Sequence, residues 1–418
     1  MQAEKILSIL VAPPERADAR LSLGPATLQQ LTGRAIIKSL VSSGLEKPWD
    51  WAIAVPARNE AGRIAACLAA LQRASERSGR TVGLVLAVNN TDDTTVSLAI
   101  QHLSRSGMPH VVIDVHFADT EANAGHARRL ALDIATEVTR EGGFLATTDA
   151  DSLVDTDWLT DAQRLLESRA DLICGAILPL DDERETLPPG FGERCAPEGE
   201  YAAMSVELAA RLDPRPHDPA PAHGNIGGAN LSFSRSLYRA VGGMPRLHCG
   251  EDRAFVALAD QLDYRVAYAQ KVTVRTSCRL NGRARGGMSD ALLARIHEDD
   301  PYCDELLLDA ETAAWTFWLR GRMRSAANGD RDIMLRDLGI SLDDLQRGPA
   351  EPFGILWDRI RIAAGLFPSQ RLRMSDVRRN CPAMRTMLER LRTGDCPGDS
   401  VGETRRWILS CLPLETRP

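Results

Sequence analysis

The stretch Gly143–Asp151, GFLATTDAD, is the part of the sequence that decides the fold. Its apolar residues predict a short buried strand over Phe144–Asp149, and a second carboxylate follows at Asp151. Because strand side chains alternate between the faces of a sheet, we expect Asp149 and Asp151 to point the same way and Ala150 to point away.

The two carboxylates indicate a cation. Acidic groups this close repel each other unless a positive charge lies between them, and hard divalent ions such as Mg²⁺ or Mn²⁺ prefer oxygen ligands and share them with substrate phosphates. The stretch therefore predicts a metal and its phosphates at the open end of a sheet. The alternative is that Asp149 and Asp151 only cap the following turn and helix.

Apolar strands and amphipathic helices alternate along the chain up to this stretch. The pattern predicts a mostly parallel α/β sheet with helices on both faces, and ligands of such sheets bind beyond the carboxyl ends of the strands. The predicted elements before the stretch are strands over Trp51–Val55, Leu84–Val88 and Val111–Phe117, a helix with Ile64, Cys67, Leu68 and Leu71 on one face, and a helix over Gly125–Arg140.

At 418 residues the chain is longer than one core usually supports. We predict three parts: an N-terminal helical extension over residues 1–47 with a helix around Leu28–Val41, an α/β domain over residues 48–290, and a mainly helical domain over residues 291–418. Within the middle part, Leu180–Glu200 is Pro-rich and acidic, which predicts a long connection.

Composition narrows the class of protein. A net charge of −7 without a long basic run argues against nucleic acid as the main partner. No apolar stretch is long enough to span a bilayer and the amino terminus has no export signal, so we expect a cytoplasmic protein. The 9 cysteines have no zinc-ligand spacing, which favours reduced thiols. The sequence leaves a homodimer open.

Two more polar loops follow predicted strands. The loop Pro56–Glu60 closes the first strand, and Asn89–Thr95 closes the second. Their positions make Arg58, Glu60 and Asn89 candidates for holding a nucleotide. Each loop taken alone is equally well explained as a turn with helix-capping residues.

The ordered set of loops over residues 48–290 resembles glycosyltransferase family 2. Each piece is weak, but their order is specific. The pieces are Val55–Glu60, Val88–Thr94, Asn123–Arg128, Asp149–Asp151, Gly227–Asn230 and Gly250–Asp252.

The resemblance implies a GT-A fold, a UDP- or GDP-linked sugar as donor, a hydroxyl-bearing acceptor, and Mn²⁺ or Mg²⁺. It implies a hexosyltransferase in which Asp252 is the general base with Glu251 beside it, and in which Asp149 and Asp151 hold the metal and the ribose-diphosphate. The residues implied to line the nucleotide and donor sites are Pro56, Ala57, Arg58, Glu60, Asn89, Gly125, Arg128, Asp149, Gly228, Ala229 and Asn230.

A basic loop follows the last predicted strand of the α/β domain. Arg279, Arg283 and Arg285 lie there among glycines, which suits a loop that folds over a diphosphate and binds it through bidentate hydrogen bonds. A solvated basic loop fits the same pattern. Processive members of the family carry a Gln-x-x-Arg-Trp motif here, and its absence favours a single-transfer enzyme with a soluble or peripheral acceptor.

The chemistry suits an inverting, metal-dependent transfer, in which a cation stabilises the leaving diphosphate and a carboxylate removes the acceptor proton. A retaining transferase on the same fold stays an alternative. A Mg²⁺-dependent phosphatase or nucleotidyltransferase is disfavoured, because Leu153 stands where the phosphatases want Thr or Val and because Pro56–Glu60 lacks the glycines of a nucleotidyltransferase loop. A non-catalytic nucleotide-sugar-binding protein is disfavoured by the retention of Asp149, Asp151 and Asp252 together.

Overall fold

The computed structural model describes residues 25–33, 35–282, 286–341, 345, 351–366 and 370–413. Among these residues, contacts define two compact units. The first has the described residues up to Thr186 together with Asn225–Asp260 and Tyr264–Asp290. The second has Leu187–Gly224, Gln261–Asp263 and the described residues from Ala291 onward. The domain boundaries predicted at residues 47 and 290 stay predictions.

The first unit is built on one sheet of nine described strands, in the order β1-β4-β3-β2-β5-β8-β7-β9-β6. The strands are β1 Ile36–Ser43, β2 Trp49–Ala57, β3 Val82–Asn89, β4 His110–His116, β5 Thr139–Thr147, β6 Ser152–Val154, β7 Leu172–Pro179, β8 Leu231–Ser234 and β9 Val266–Thr276.

Described helices in chain order are α1 Pro25–Thr32, α2 Ile64–Ser78, α3 Thr95–Ser106, α4 Ala124–Val138, α5 Trp158–Ser168, α6 Asp181–Arg184, α7 Phe191–Leu212, α8 Arg235–Ala240, α9 Glu251–Gln261, α10 Met288–His297, α11 Ala310–Ser325, α12 Asn328–Asp337, α13 Phe353–Ala363, α14 Met374–Arg392 and α15 Val401–Cys411.

The predicted α/β fold with a C-terminal helical region is confirmed, but the sheet is mixed. Strands β4, β3, β2 and β5 are parallel neighbours, as are β7 and β9. Strands β1, β8 and β6 each pair antiparallel with their neighbours. The parallel run β3-β2-β5 therefore places the loops after these strands at one edge of the sheet.

Burial explains why the central strands form. Every residue of β3 is buried, as are all but one of β2, which is the continuous apolar pattern of strands covered on both faces. Helix α2 packs its apolar face, including Ile64, Leu68 and Leu71, into the same core. It ends at Gly79, whose φ of 64° is a left-handed C-cap that glycine adopts without strain.

The prediction of a helix over Leu28–Val41 is wrong beyond Thr32. Helix α1 ends at Thr32, and Gly33 then takes a φ of 59°. The next segment contains the β-branched residues Ile36, Ile37 and Val41 and forms the edge strand β1 beside β4. Glycine after the helix and β-branched residues in the strand explain the change.

The prediction of a long connection over Leu180–Glu200 is also wrong. The short helix α6 and the first half of the 22-residue helix α7 lie there. Glycines and prolines, including Pro197 inside α7, hide the helical spacing of Tyr201, Met204 and Leu208, which are buried.

The second unit has its own helical core. Side chains of α7, α11, α14 and α15 form one buried cluster, with Tyr201 and Met384 among its members. A neighbouring cluster contains Trp318 of α11 and Trp357 of α13. Among the described residues no helix is long and apolar enough to cross a membrane.

Candidate active site

The two carboxylates of the opening stretch lie just beyond the sheet. Strand β5 ends at Thr147, so Asp149 and Asp151 belong to the turn between β5 and β6. The expected strand to Asp149 is therefore two residues too long. Burial, reinforced by the charge of Asp149, raises the pKa of Asp151 to about 6, although Arg279 opposes this effect. The two carboxylates thus repel each other in the folded protein.

Arg128 connects the predicted loops. Its buried guanidinium donates from Nη2 to Asp149 Oδ1 (2.7 Å), from Nε to Glu251 Oε1 (3.2 Å), and from Nη1 to Thr147 Oγ1 (2.8 Å) and the Gly228 carbonyl (2.7 Å). Burial acts to lower the pKa of Arg128, but the nearby carboxylates raise it above its usual range. One side chain of α4 therefore joins three loops that are far apart in sequence.

Two glycines make this convergence sterically feasible. A Cβ on Gly228 would lie 2.5 Å from Arg128 Cζ, and a Cβ on Gly125 would lie 2.7 Å from the Leu247 carbonyl and 3.2 Å from Glu251 Cδ. Real Cβ atoms essentially never lie within 3.0 Å of another heavy atom, so a side chain at either position would require its neighbours to move. The start of α4 can therefore approach the loop before α9 only because residue 125 is glycine.

A second arginine contacts the other carboxylate of the pair. Arg279 binds Glu60 bidentately, with Nη1 to Oε2 at 2.9 Å and Nη2 to Oε1 at 2.6 Å. The same Nη2 is 3.0 Å from Asp151 Oδ2. Glu60, only 6% exposed, is thus held in the loop after β2, and its backbone N–H donates to Thr95 Oγ1.

Asp252 lies in the first turn of α9. Its Oδ2 accepts the backbone N–H of Gly228 at 2.7 Å, and its Oδ1 accepts the N–H of Arg253 at 2.8 Å. The side chain is half-buried, so it keeps access to solvent. Next to it Glu251 is buried, and burial raises the pKa of that carboxyl despite the opposing charge of Arg128.

The nucleotide side of the predicted site lies at the ends of β2 and β3. Pro56 and Ala57 are the last residues of β2 and are buried. Arg58 is half-buried and donates to the Ala122 carbonyl at 3.3 Å. Asn89 ends β3 and is 2% exposed, and within the described part of the chain its Nδ2 has no hydrogen-bond partner.

The resemblance implies that Ala229 and Asn230 line the donor site, and the structure shows both side chains buried. The Asn230 amide accepts from Trp158 Nε1 (2.9 Å) and donates to the carbonyls of Ala176 and Val272 (both 2.8 Å). These contacts fix the end of the Gly-Gly-Ala-Asn loop against β7 and β9. The loop reaches the site through Gly228, its second residue.

Arg283 and Arg285 lie outside the described residues. The roles assigned to all of these side chains stay predictions, although the structure brings most of them to one edge of the sheet.

Sequence reasoning did not single out Glu183, a buried carboxylate near this group. Glu183 of α6 pairs with Arg63 and accepts both the Ser277 hydroxyl and the Cys278 N–H at 2.7 Å. The sequence shows Glu183 only as the third acid of a run that starts at Asp181. In the structure the first two acids are exposed and Glu183 is buried.

The donor set fits a divalent cation. Among the described side chains, Asp149 and Glu251 pair with Arg128, and Glu60 and Asp151 pair with Arg279. The group is rich in carboxylate oxygens, the ligand type that Mg²⁺ and Mn²⁺ prefer. Groups of three or more acidic, histidine or cysteine side chains with metal-binding geometry are absent from the described residues. The rest of a coordination shell would have to come from ligand phosphates and water.

Carboxylates and arginines thus lie at the strand ends of the sheet, and Arg128 links them to the acidic start of α9. Residues 52–203 match the model of the family described as Glycosyl transferase family 2. This match confirms the resemblance over residues 52–203, which form a family 2 glycosyltransferase region. The matched residues include Arg128 and the Asp149–Asp151 turn, whereas Gly228 and Asp252 lie beyond them.

No curated protein matches the chain. Among solved structures, TarS of S. aureus is 12% identical with a TM-score of 0.38, over 85% of this chain and 89% of that chain. The mannosyltransferase PcManGT of Pyrobaculum calidifontis, in complex with GDP-Man and Mn²⁺, is 14% identical with a TM-score of 0.42, over 92% and 91%.

Glucosyl-3-phosphoglycerate synthase of Mycobacterium tuberculosis, in complex with Mn²⁺, UDP and phosphoglyceric acid, is 16% identical with a TM-score of 0.36, over 68% of this chain and 83% of that chain. These likenesses are distant, and no residue role is taken from them.

Proposed function

We propose that this protein transfers a sugar from a UDP- or GDP-linked donor to an acceptor hydroxyl, with inversion at the anomeric carbon and with a divalent metal. The observation that carries this proposal is the set of contacts made by Arg128. They join the Asp149 turn, the Gly228 loop and the start of α9, to which the resemblance assigns the donor diphosphate, the donor sugar and the acceptor base.

The donor side would be formed by the carboxylate pair and its arginines. Asp149 and Asp151 would hold Mn²⁺ or Mg²⁺, which when bound supplies Lewis-acid neutralisation of the leaving nucleoside diphosphate. Nη2 of Arg279 lies 3.0 Å from Oδ2 of Asp151, and the Arg279 side chain is 23% exposed. Its guanidinium can bind phosphate oxygens bidentately as charge grows on them.

The nucleoside would lie at the ends of β2 and β3, beside Arg58 and Glu60. The buried amide nitrogen of Asn89, which has no hydrogen-bond partner among the described residues, could donate to a base. This side chain supports nucleotide binding but does not choose between uracil and guanine.

The acceptor side would be formed by Asp252. Its carboxylate is oriented by the Gly228 N–H and stays half-buried, so an acceptor hydroxyl can approach it. Removing the hydroxyl proton while the oxygen attacks the anomeric carbon is a direct displacement, which inverts the anomeric configuration. The buried Glu251, bound to Arg128, would hold this end of the site in place.

A thermal-shift screen of UDP- and GDP-linked sugars with Mn²⁺ tests this function. A bound donor raises the apparent melting temperature by mass action. We expect a rise with at least one nucleotide sugar in the presence of Mn²⁺ and a smaller one with EDTA. A flat response to the whole panel would contradict the proposal.

The stereochemistry has a separate test. With a donor and an acceptor in hand, the anomeric coupling in the NMR spectrum of the first product distinguishes inversion from retention. We expect inversion. A retained configuration would remove Asp252 as the base of a single displacement while leaving donor binding intact. The cytoplasmic location, the soluble or peripheral acceptor and the homodimer stay predictions.

A further inference from the structure

Glu183 is a buried carboxylate that lies outside every motif discussed above. It belongs to the short helix α6, which follows β7, and the Leu180 N–H at its start donates to the Thr276 carbonyl at 2.9 Å. The end of β9 therefore runs directly past α6. Asp181 and Asp182 on the same helix are exposed, whereas Glu183 is 9% exposed.

Both carboxylate oxygens of Glu183 are engaged. Oε1 pairs with Arg63, and Oε2 accepts the Ser277 hydroxyl and the Cys278 N–H, each at 2.7 Å. A buried carboxylate is costly unless it is paired and hydrogen-bonded, and these three partners meet that requirement.

The partners of Glu183 adjoin the residues that Arg279 connects. Arg63 is three residues after Glu60, and Cys278 directly precedes Arg279. Arg279 in turn binds Glu60 and lies 3.0 Å from Asp151. The loop after β2 and the loop after β9 are therefore joined twice, by Arg279 with Glu60 and by Glu183 with its partners.

This arrangement limits where Arg279 can go. If its contacts with Glu60 loosen when a diphosphate binds, the second connection still holds the backbone at Ser277 and Cys278. The Arg279 guanidinium could then leave the Glu60 carboxylate and bind phosphate while the loop after β9 keeps its position. Preorganisation of this kind raises affinity because the entropic cost of ordering the loop on binding is smaller.

We propose that Glu183 is a positioning residue that holds Arg279 at the donor diphosphate. The inference rests on the proposed function, since it assumes that Arg279 binds a nucleoside diphosphate. A purely structural role would lower stability without any specific dependence on Arg279.

A double-mutant cycle in the full-length protein distinguishes the two roles. Calorimetry with Mn²⁺ and whichever of UDP and GDP binds the wild type gives Kd for the wild type, Glu183→Ala, Arg279→Ala and the double variant. We expect Glu183→Ala to weaken binding about tenfold and to have less than a twofold effect once Arg279 is absent. The proposal would be overturned if Glu183→Ala raised Kd by the same factor with and without Arg279. It would also be overturned if Glu183→Ala bound with wild-type affinity.

Matched variants keep the test interpretable. Asp182→Ala removes an exposed acid of the same helix and should bind like the wild type. Glu183→Gln keeps an acceptor for Ser277 and Cys278, so it should restore most of the affinity. If Glu183→Ala does not fold, Ser277→Ala decides, with about a threefold loss expected and an unchanged Kd counting against the proposal.

The two levels of the hypothesis fail differently. If the wild type binds neither nucleotide, the proposed function fails and this inference fails with it. If the wild type binds and the cycle is multiplicative, only the role of Glu183 is wrong.

Discussion

The backbone N–H of Gly228 donates to Oδ2 of Asp252 across 2.7 Å. This bond ties the predicted base to the loop that is joined through its own carbonyl to Arg128. The orientation of the carboxylate is therefore set by the backbone of another motif together with the Arg253 N–H of its own helix.

Replacing Asp252 by Asn should separate binding from chemistry. The amide oxygen can still accept the Gly228 N–H, but the side chain can no longer take a proton. We expect transfer to fall by about 10²-fold or more while the Kd for nucleoside diphosphate stays within about twofold. Steady-state rates with calorimetry check this, and a variant that turns over normally would exclude Asp252 as the base.

Replacing Asp151 by Asn should remove metal-dependent binding. The substitution takes away a charged oxygen ligand and leaves Arg279 with one carboxylate fewer. Nucleotide affinity in Mn²⁺ should fall at least about tenfold, towards the value measured in EDTA. Asp157→Asn, which changes an exposed acid near the same turn, is the control and should behave like the wild type. Equal affinities for both variants would count against a metal at Asp151.

Replacing Arg128 by Met should destabilise the first unit. Glu251 would keep a buried carboxylate without its guanidinium, and losing one partner of a buried ion pair costs about 3 kcal/mol. Urea unfolding measures the loss. The matched change Arg164→Met removes a surface pair with Asp161 and should stay within about 0.5 kcal/mol. Similar stabilities for the two variants would show that Arg128 does not hold the loops together.

Two glycine substitutions should change the free energy of unfolding in opposite directions. Gly228→Ala places a methyl 2.5 Å from Arg128 Cζ, and overpacking against this tethered side chain should cost about 1–3 kcal/mol. Gly199→Ala lies inside α7 with nothing within 4 Å of the new Cβ, and should stabilise by about 0.5–1 kcal/mol. Thermal unfolding compares them, and a neutral Gly228→Ala would mean that Arg128 moves easily.

Acid should weaken the second unit through Asp213. Its side chain is buried with Arg215, Arg320 and Arg324 close to it, and although burial acts to raise the pKa of Asp213, these arginines lower it below the usual value. A lowered folded-state pKa stabilises above the unfolded value of about 3.9, and this stabilisation is lost as the pH falls through the folded pKa.

Unfolding of Asp213→Asn measures this contribution. The stability gap between the wild type and the variant should be full above about pH 5 and should shrink below about pH 4. Asp299→Asn changes an exposed acid and is the control, which at pH 7 should unfold within about 0.5 kcal/mol of the wild type. A gap for Asp213→Asn that does not change with pH would contradict the role of its charge.

Much of the fold followed from local patterns. Continuous apolar strands such as β3 and the spacing of Ile64, Leu68 and Leu71 in α2 are strong signals, because burial on both faces or on one helical stripe dictates them. The edge strand β1 and helix α7 escaped prediction because exposed edges carry little pattern and because Pro197 reads as a helix break.

The partners of the site residues could not be predicted. Arg128 meets Gly228 and Glu251 across separations of 100 and 123 residues, and no local pattern encodes such contacts. Asn230 was expected at the donor, yet its amide is bound by Trp158 and two backbone carbonyls. Glu183 looked like one more acid in a loop, because its burial depends on where β9 ends.

Calorimetric titration of UDP and GDP into the full-length protein, with Mn²⁺ and then with EDTA, tests the central claim most directly. We expect at least one nucleoside diphosphate to bind in Mn²⁺ and to lose most of its affinity in EDTA. No binding of either nucleotide, or the same affinity in both conditions, would contradict a metal-dependent donor site at Asp149 and Asp151.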